Sequence, residues 1–384
     1  MNIAFRTDAS LQMGSGHVMR CLTLADGLRA KGAQCHFISR AHHGHLMAVI
    51  RQRGYMVNGL VAPVQQVQAA IKNGSTTVQV RQPNQLHKPA HAAWLGSTWE
   101  ADAQETAAVL TSLQPDWLVV DHYALDQRWE DALATHYHQL LVIDDLADRP
   151  HRCNLLLDQN LGRQPQDYMG LVTTHCQMLT GPHYALLRPE FAALRPYSLQ
   201  RRQAQPALRR LLITMGGVDQ PNATGQVLQA LQNCALPTDC RITVVMGLTA
   251  PWLQNVQALA AQVPWPTEVV VNVNDMAQRM ADSDLAIGAA GSTSWERCCL
   301  GLPTLMVVLA DNQRGIASGL ESAGATIALG LHNGDQFDVM LRNAVAHLVN
   351  NKIALMALSQ AAAKVTNGCG TNLIAAQMLG KHAR

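Results

Sequence analysis

Residues suited to chemistry gather in a few short stretches, the first close to the start of the chain. Gly14-Ser15-Gly16-His17 follows an apolar run and precedes a helical pattern over residues 18–30. The glycines let the backbone turn tightly and come close to a ligand. A helix start carries unpaired N–H groups and a partial positive charge, which suits an anion. A histidine there is biased toward its neutral form, the form that takes up a proton. The stretch therefore offers an anion site and a candidate base, His17, a few residues apart. Its simpler reading is a strand-to-helix turn with a capping histidine. The spacing is not G-x-G-x-x-G, and Asp26 lies within the helical pattern, so a nicotinamide fingerprint is not supported.

Met215-Gly216-Gly217-Val218-Asp219 repeats the arrangement in the second half. Its backbone N–H groups could face a phosphate; the alternative is a helix-start turn with Asp219 at the cap. In Gly288-Ala289-Ala290-Gly291-Ser292-Thr293-Ser294-Trp295-Glu296, small residues form a turn and hydroxyls sit at a helix start. Ser292 and Thr293 suit either a cap or a phosphate. Glu296 suits either a capping box with Thr293 or two hydroxyls of a sugar such as ribose. Asp311-Asn312-Gln313 directly follows an apolar run, the place where α/β sheets bind ligands. The carboxamides of Asn312 and Gln313 suit hydroxyl and acetamido groups. Asp121-His122-Tyr123 and Asp144-Asp145 share that placement, as acid/base groups or as strand-end caps. His42-His43-Gly44-His45 invites a metal reading, but no Cys or carboxylate cluster follows at ligand spacing, so no metal is expected. Neither a G-x-S-x-G elbow nor a P-loop occurs.

A scaffold for these stretches is legible in the apolar pattern. Short runs at 3–6, 35–39, 117–121, 140–144 and 155–158, then 211–215, 242–246, 268–273, 285–288 and 304–309, alternate with helical patterns. This predicts the α/β class, with parallel sheets in two doubly wound, Rossmann-like domains. The Arg-, Gln- and Pro-rich stretch 195–207 marks the break, giving an N-terminal domain over 1–195 and a C-terminal domain over 208–384. Residues 65–91 are Gln-rich and weakly patterned; they read as a helix plus a long loop, an insertion or a lid. The net charge is +2 with no long run of one sign, so neither nucleic acid nor a polybasic membrane contact is expected. The absence of a leader pattern and of a long apolar stretch predicts a cytoplasmic protein without a membrane span. Nine cysteines without C-x-x-C spacing read as reduced thiols packed as small hydrophobes.

Taken in order, Arg6-Thr7-Asp8, Gly14-Ser15-Gly16-His17, Asp121-His122-Tyr123, Tyr184-Ala185-Leu186-Leu187-Arg188, Met215-Gly216-Gly217 and Asp311-Asn312-Gln313 resemble a known family. It is that of the UDP-sugar hydrolases of bacterial pseudaminic acid biosynthesis, relatives of the GT-B glycosyltransferases. The resemblance runs from residue 1 to about 329. It implies a two-lobed GT-B-type fold with the substrate in the cleft between lobes. It also implies inverting cleavage of the anomeric C–O bond of a UDP-2,4-diacetamido-2,4,6-trideoxy-sugar, with no metal and no other cofactor. By the same resemblance His17 is catalytic. Arg6, Asp8, Gly14, Ser15, Gly16, Tyr123, Arg188, Asn312 and Gln313 lie on the sugar side, Asp8 being a candidate to orient His17. Met215, Gly216, Gly217, Ser292, Thr293 and Glu296 hold UDP. The partner is the small-molecule UDP-sugar alone, and the protein is taken as a monomer. Three other readings share the architecture: a GT-B glycosyltransferase, a non-catalytic nucleotide-sugar sensor, and a UDP-sugar epimerase using Asp121, Asp144 and Glu296.

Overall fold

The computed structural model describes residues 1–61, 89–248 and 250–380. The predicted 65–91 insertion lies outside the described residues, apart from its last three positions. The chain begins β1 (Asn2–Thr7), α1 (Gly16–Arg29), β2 (Gln34–Arg40), α2 (Met47–Gln52) and β3 (Met56–Leu60). It continues α3 (Trp99–Leu113), β4 (Trp117–Asp121), α4 (Gln127–Ala132), β5 (Gln139–Ile143), β6 (Leu155–Asp158), β7 (Gln177–Thr180) and α5 (Pro189–Ala204). A second series follows: β8 (Arg210–Thr214), α6 (Ala223–Leu231), β9 (Arg241–Met246), α7 (Leu253–Ala260), β10 (Thr267–Val271), α8 (Met276–Asp282) and β11 (Leu285–Ala289). It ends α9 (Thr293–Cys299), β12 (Thr304–Val308), α10 (Arg314–Ser322), β13 (Ile327–Leu331), α11 (Phe337–Asn350), α12 (Lys352–Val365) and α13 (Gly370–Met378).

Two sheets result, ordered β3-β2-β1-β4-β5-β6-β7 and β10-β9-β8-β11-β12-β13. The central pairings are parallel in both. In each sheet the order reverses beside the first strand of its series, between β1 and β4 and between β8 and β11. Doubly wound sheets bind ligands past the strand ends at such reversals. The chain divides into two compact units. One comprises Met1–Met13, Gly32–Leu156 and Tyr168–Gln177; the other comprises Gly14–Lys31, Leu157–Asp167 and Met178–Arg384.

Alternation along the strands explains why the second sheet is buried on both faces. Leu211, Ile213, Ile242, Val244, Leu285, Ile287, Leu305 and Val307 feed one core with α6 and α11. Leu212, Val245, Ala286, Met306 and Val308 point the other way, into a core with Phe191, Trp295, Cys298 and Cys299. Parallel strands buried on both faces read as continuous apolar runs, which is how they are legible in the sequence. Eight of the nine cysteines are buried, and none is in a disulfide.

The polar stretch 195–207 is built largely into helix α5, and its arginines explain why. Arg195 donates to the carbonyls of Cys299 and Ala363, at 2.5 and 2.6 Å, and Arg201 to that of Ser283 at 2.8 Å. The charges are met by carbonyls of the second unit and, for Arg201, by the Asp284 carboxylate at 2.8 Å.

Candidate functional site

The loops after β8 and β11 stand at the order reversal of the second sheet. Gly216 has φ +91°, a conformation that favours glycine, and open space where a side chain would be. Gly247, just past β9, backs this loop. A Cβ there would fall 1.8 Å from the Gly217 carbonyl oxygen, so the approach requires glycine. Asp219 caps α6, accepting from the backbone N–H groups of Ala223 and Thr224 at 2.9 Å each. Past β11, Gly291 also faces open space.

The His17 loop belongs to this same unit and closes on both of those loops. A Cβ on Gly217 would lie 3.2 Å from Ser15 Oγ, and one on Gly16 would lie 3.7 Å from Ser292 Oγ. Predicted sugar-side residues Ser15 and Gly16 are thereby brought against predicted UDP-side residues Gly217 and Ser292. His17 opens α1 and is 8% exposed. Arg20, one turn on, brings Nη2 to 3.4 Å from His17 Nδ1. A guanidinium only donates, so Nδ1 is the accepting nitrogen in this contact.

The C-terminal helix fixes α1 against the segment that carries Arg188. A Cβ on Gly27 of α1 would meet Thr371 of α13 at 2.8 Å. A Cβ on Gly370 would meet the Ala185 carbonyl at 2.4 Å, and Thr371 Oγ1 donates to the Leu187 carbonyl at 2.8 Å. Arg188 pairs with Glu190 at 2.9 Å and reaches Glu296 at 4.0 Å. The capping box offered as one reading of Thr293 and Glu296 does not form: Ser292, not Thr293, holds the cap position, and Thr293 Oγ1 accepts from Arg297. Glu296 is free of that duty, and burial pushes its carboxyl up to about 7 against the opposing pull of Arg188. Accepting from two sugar hydroxyls requires the carboxylate. If Glu296 is the ribose contact expected from the sequence, uridine affinity should rise about tenfold per pH unit up to pH 7 and level off above, because only the ionised fraction binds. Titrations from pH 5.5 to 8.5 check this, and Glu296→Gln should flatten the profile. A flat wild-type profile would remove Glu296 from the ribose contact. Of the adjacent carboxamides, Asn312 is exposed, while Gln313 Oε1 accepts from the Leu309 backbone N–H at 2.9 Å.

In the first unit, Arg6 and Asp8 are fully buried and bonded to each other at 2.6 Å. Asp102 of α3 accepts from Arg6 Nη2 at 2.6 Å, from Arg40 Nη2 at 2.7 Å and from Trp129 Nε1 at 3.0 Å. Asp8 Oδ1 also accepts from the Arg40 backbone N–H at 2.7 Å, and Oδ2 lies 3.2 Å from His122 Nε2 and 3.4 Å from His42 Nε2. The Ala124 N–H donates to His122 Nδ1 at 3.0 Å, so the proton of the neutral ring sits on Nε2, facing Asp8. Burial opposes ionisation of Asp8, yet Arg6, His122 and His42 hold it well below the ordinary carboxylate range. Asp144 is similarly committed, to Arg149, Tyr168 and the Ala147 N–H. Tyr123 donates to Asp145 Oδ2 at 2.5 Å and stacks on Trp94 with ring centroids 5.8 Å apart.

Several residues went unread in the sequence: Arg20, Arg297, Gly247, Trp94 and the α13 glycine Gly370. Arg20 carries a signal, since a residue three past His17 shares its helix face. The others depend on contacts between distant segments. Among the described residues there is no cluster of metal-ligating side chains, and no helix is long and apolar enough to cross a membrane.

No protein-family model matches the chain. It is 22% identical over 322 residues to an uncharacterized protein of Methanocaldococcus jannaschii, covering 82% of this chain and 57% of that protein. It is 30% identical over 161 residues to the spore coat polysaccharide biosynthesis protein SpsG of Bacillus subtilis, covering 42% and 46%. It is 21% identical over 324 residues to the UDP-2,4-diacetamido-2,4,6-trideoxy-beta-L-altropyranose hydrolase of Campylobacter jejuni, covering 84% and 97%. The matches thus span about half the length of the first two relatives. Among solved structures, MurG of Acinetobacter baumannii aligns with a TM-score of 0.68 at 15% identity, covering 99% of both chains. The spinosyn rhamnosyltransferase SpnG, in complex with thymidine diphosphate, aligns with a TM-score of 0.59 at 17% identity, covering 99% of both chains. The fold is therefore that of the GT-B glycosyltransferases: α/β, with two parallel-sheet domains.

Proposed function

We propose that the chain is a nucleotide-sugar enzyme that hydrolyses a UDP-2,4-diacetamido-2,4,6-trideoxy-sugar at its anomeric C–O bond. The observation that carries this reading is the approach of the Gly14–His17 turn to Gly217 and Ser292, at the 3.2 and 3.7 Å given above. It puts a histidine beside two loops suited to a diphosphate. Similarity to the Campylobacter hydrolase over 97% of that protein supports the same substrate class.

In this reading His17 takes a proton from water as general base, and the water attacks the anomeric carbon on the face opposite UDP. The C–O bond breaks, and its electron pair leaves with UDP. The accepting lone pair is on Nδ1, where the 3.4 Å Arg20 contact is long enough to be exchanged for the nucleophile. UDP is a good leaving group at neutral pH, so charge stabilisation matters more than general-acid help. Backbone N–H groups of Gly216 and Gly217 and the hydroxyls of Ser292 and Thr293 supply it. Glu296 accepts from the ribose, while Arg188 and Asn312 face the sugar. Arg6 and Asp8, buried as they are, act by fixing the ends of β1 and β2. A product assay with a panel of UDP-diacetamido sugars tests the reading. Free sugar and UDP should appear without any acceptor. UDP release only on adding an acceptor would indicate a transferase, and isomerised UDP-sugar an epimerase.

A further inference from the structure

Two arginines in the second unit are buried without a carboxylate ion-pair partner among the described residues, and their surroundings differ. Arg202 donates to the carbonyls of Met280, Ser283 and Leu300 at 2.7, 2.6 and 2.9 Å. These lie at the C-terminal ends of α8 and α9, where helix carbonyls carry partial negative charge. Its charge is met within the fold. Arg297, 1% exposed, meets fewer carbonyls and has the Glu296 carboxyl beside it to favour its charge. It donates to one carbonyl, that of Ala289, at 2.7 Å, and to two hydroxyls, Thr293 Oγ1 and Ser294 Oγ, at 3.1 Å each. Its Nε has no partner among the described residues. Burial pushes the guanidinium down to about 10, which leaves it protonated at neutral pH.

The placement of this charge is specific. A Cβ on Gly288 would fall 2.6 Å from Arg297 Nη1, so only glycine at the end of β11 lets the guanidinium lie under the turn. A hydroxyl that accepts from a guanidinium keeps its own proton to donate elsewhere. We propose that Arg297 is the positioning residue of the diphosphate subsite, turning the half-buried Thr293 hydroxyl into a committed donor and holding a buried positive charge beneath it. The inference rests on the reading of this turn as a UDP contact. Its ligand chemistry is the diphosphate dianion, not the nucleoside.

Calorimetric titration of UDP and of uridine separates the two contributions. Arg297→Gln should weaken UDP by about ten- to hundredfold, the range for hydrogen bonds to charged groups, and change uridine less than about threefold. Arg297→Lys should recover part of the loss. Thr293→Val, at a half-buried position, should weaken UDP by about two- to tenfold, again sparing uridine. Equal losses for both ligands would make Arg297 merely structural, and no loss for UDP would overturn the inference outright. If Arg297→Gln does not fold, the lysine and valine variants decide, and an unchanged UDP-to-uridine ratio in both overturns it. Wild-type protein that binds no UDP would overturn this inference and the proposed function together. Wild type that binds UDP beside variants with unchanged ratios would overturn this inference alone.

Discussion

Replacing His17 by Asn or Leu should lower kcat by about 10²–10⁴-fold, the usual contribution of a general base, while UDP affinity stays within a few-fold of wild type. The asymmetry follows from the site. In the proposed reading the diphosphate donors sit on the loops after β8 and β11, and the loop glycines do not depend on the imidazole. In the same reading His17 supplies only the nitrogen that activates water. Steady-state kinetics with a UDP-diacetamido sugar, beside UDP titration, measures both quantities. Near-wild-type kcat in either variant would remove His17 from the base role.

Asp102→Asn should be the most damaging single change to the first unit. Asp102 receives two guanidiniums, an indole N–H and the Thr106 hydroxyl, all buried. Removing its charge leaves Arg6 with Asp8 and Arg40 with Glu105 as their remaining carboxylates in a low-dielectric interior, a loss of about 3–5 kcal/mol for a broken buried pair. In thermal unfolding this corresponds to a fall in Tm of about 10 °C. Asp311→Asn is the contrast. Its pair with Arg314 is exposed on both sides, and its loss should cost no more than about 0.5 kcal/mol. The network also sets an acid limit. Burial raises the carboxyls of Asp8 and Asp102, but Arg6, together with His122 and His42 at Asp8 and with Arg40 at Asp102, outweighs it and holds both below their ordinary value of 3.8. Groups so depressed contribute stability that is full above their unfolded value and lost as pH falls below about 4. Urea midpoints should accordingly drop from pH 5 to pH 3, and Asp102→Asn should shrink that drop. Equal Tm values for Asp102→Asn and Asp311→Asn would contradict this account.

How much was legible depended on where each residue sits in its sheet. Central strands such as 117–121 and 155–158 were read with their true bounds, because burial on both faces leaves uninterrupted apolar runs. The three unread strands, β3, β7 and β13, are all at sheet edges. Half-exposed edges mix polar and apolar residues, and Gly330 at φ +74° interrupts β13 further. The glycine turns themselves were legible from spacing alone. The approach of the first to the other two was not, because it depends on α13 anchoring α1 to the Arg188 segment. Thr371 and Gly370 look unremarkable in the sequence and acquire meaning only through close backbone approach. The metal reading of the His42 stretch was rejected from spacing. The structure gives His42 another use, beside the buried Asp8 carboxylate.

The pairing of Arg188 with Glu296 joins two residues assigned to different ends of the substrate. In the proposed reading, the ribose and sugar subsites adjoin at this contact. It also explains how Glu296 can be raised by burial yet remain available as a carboxylate near neutral pH.

Hydrolysis at the anomeric carbon is the central claim, and an isotope experiment tests it most directly. The protein is incubated with UDP-2,4-diacetamido-2,4,6-trideoxy-β-L-altropyranose in ¹⁸O water, without acceptor, and the products are analysed by mass spectrometry after short reaction times. The account predicts one ¹⁸O atom in the released sugar and none in UDP. Label in UDP, or no release of UDP in the absence of an acceptor, would contradict it.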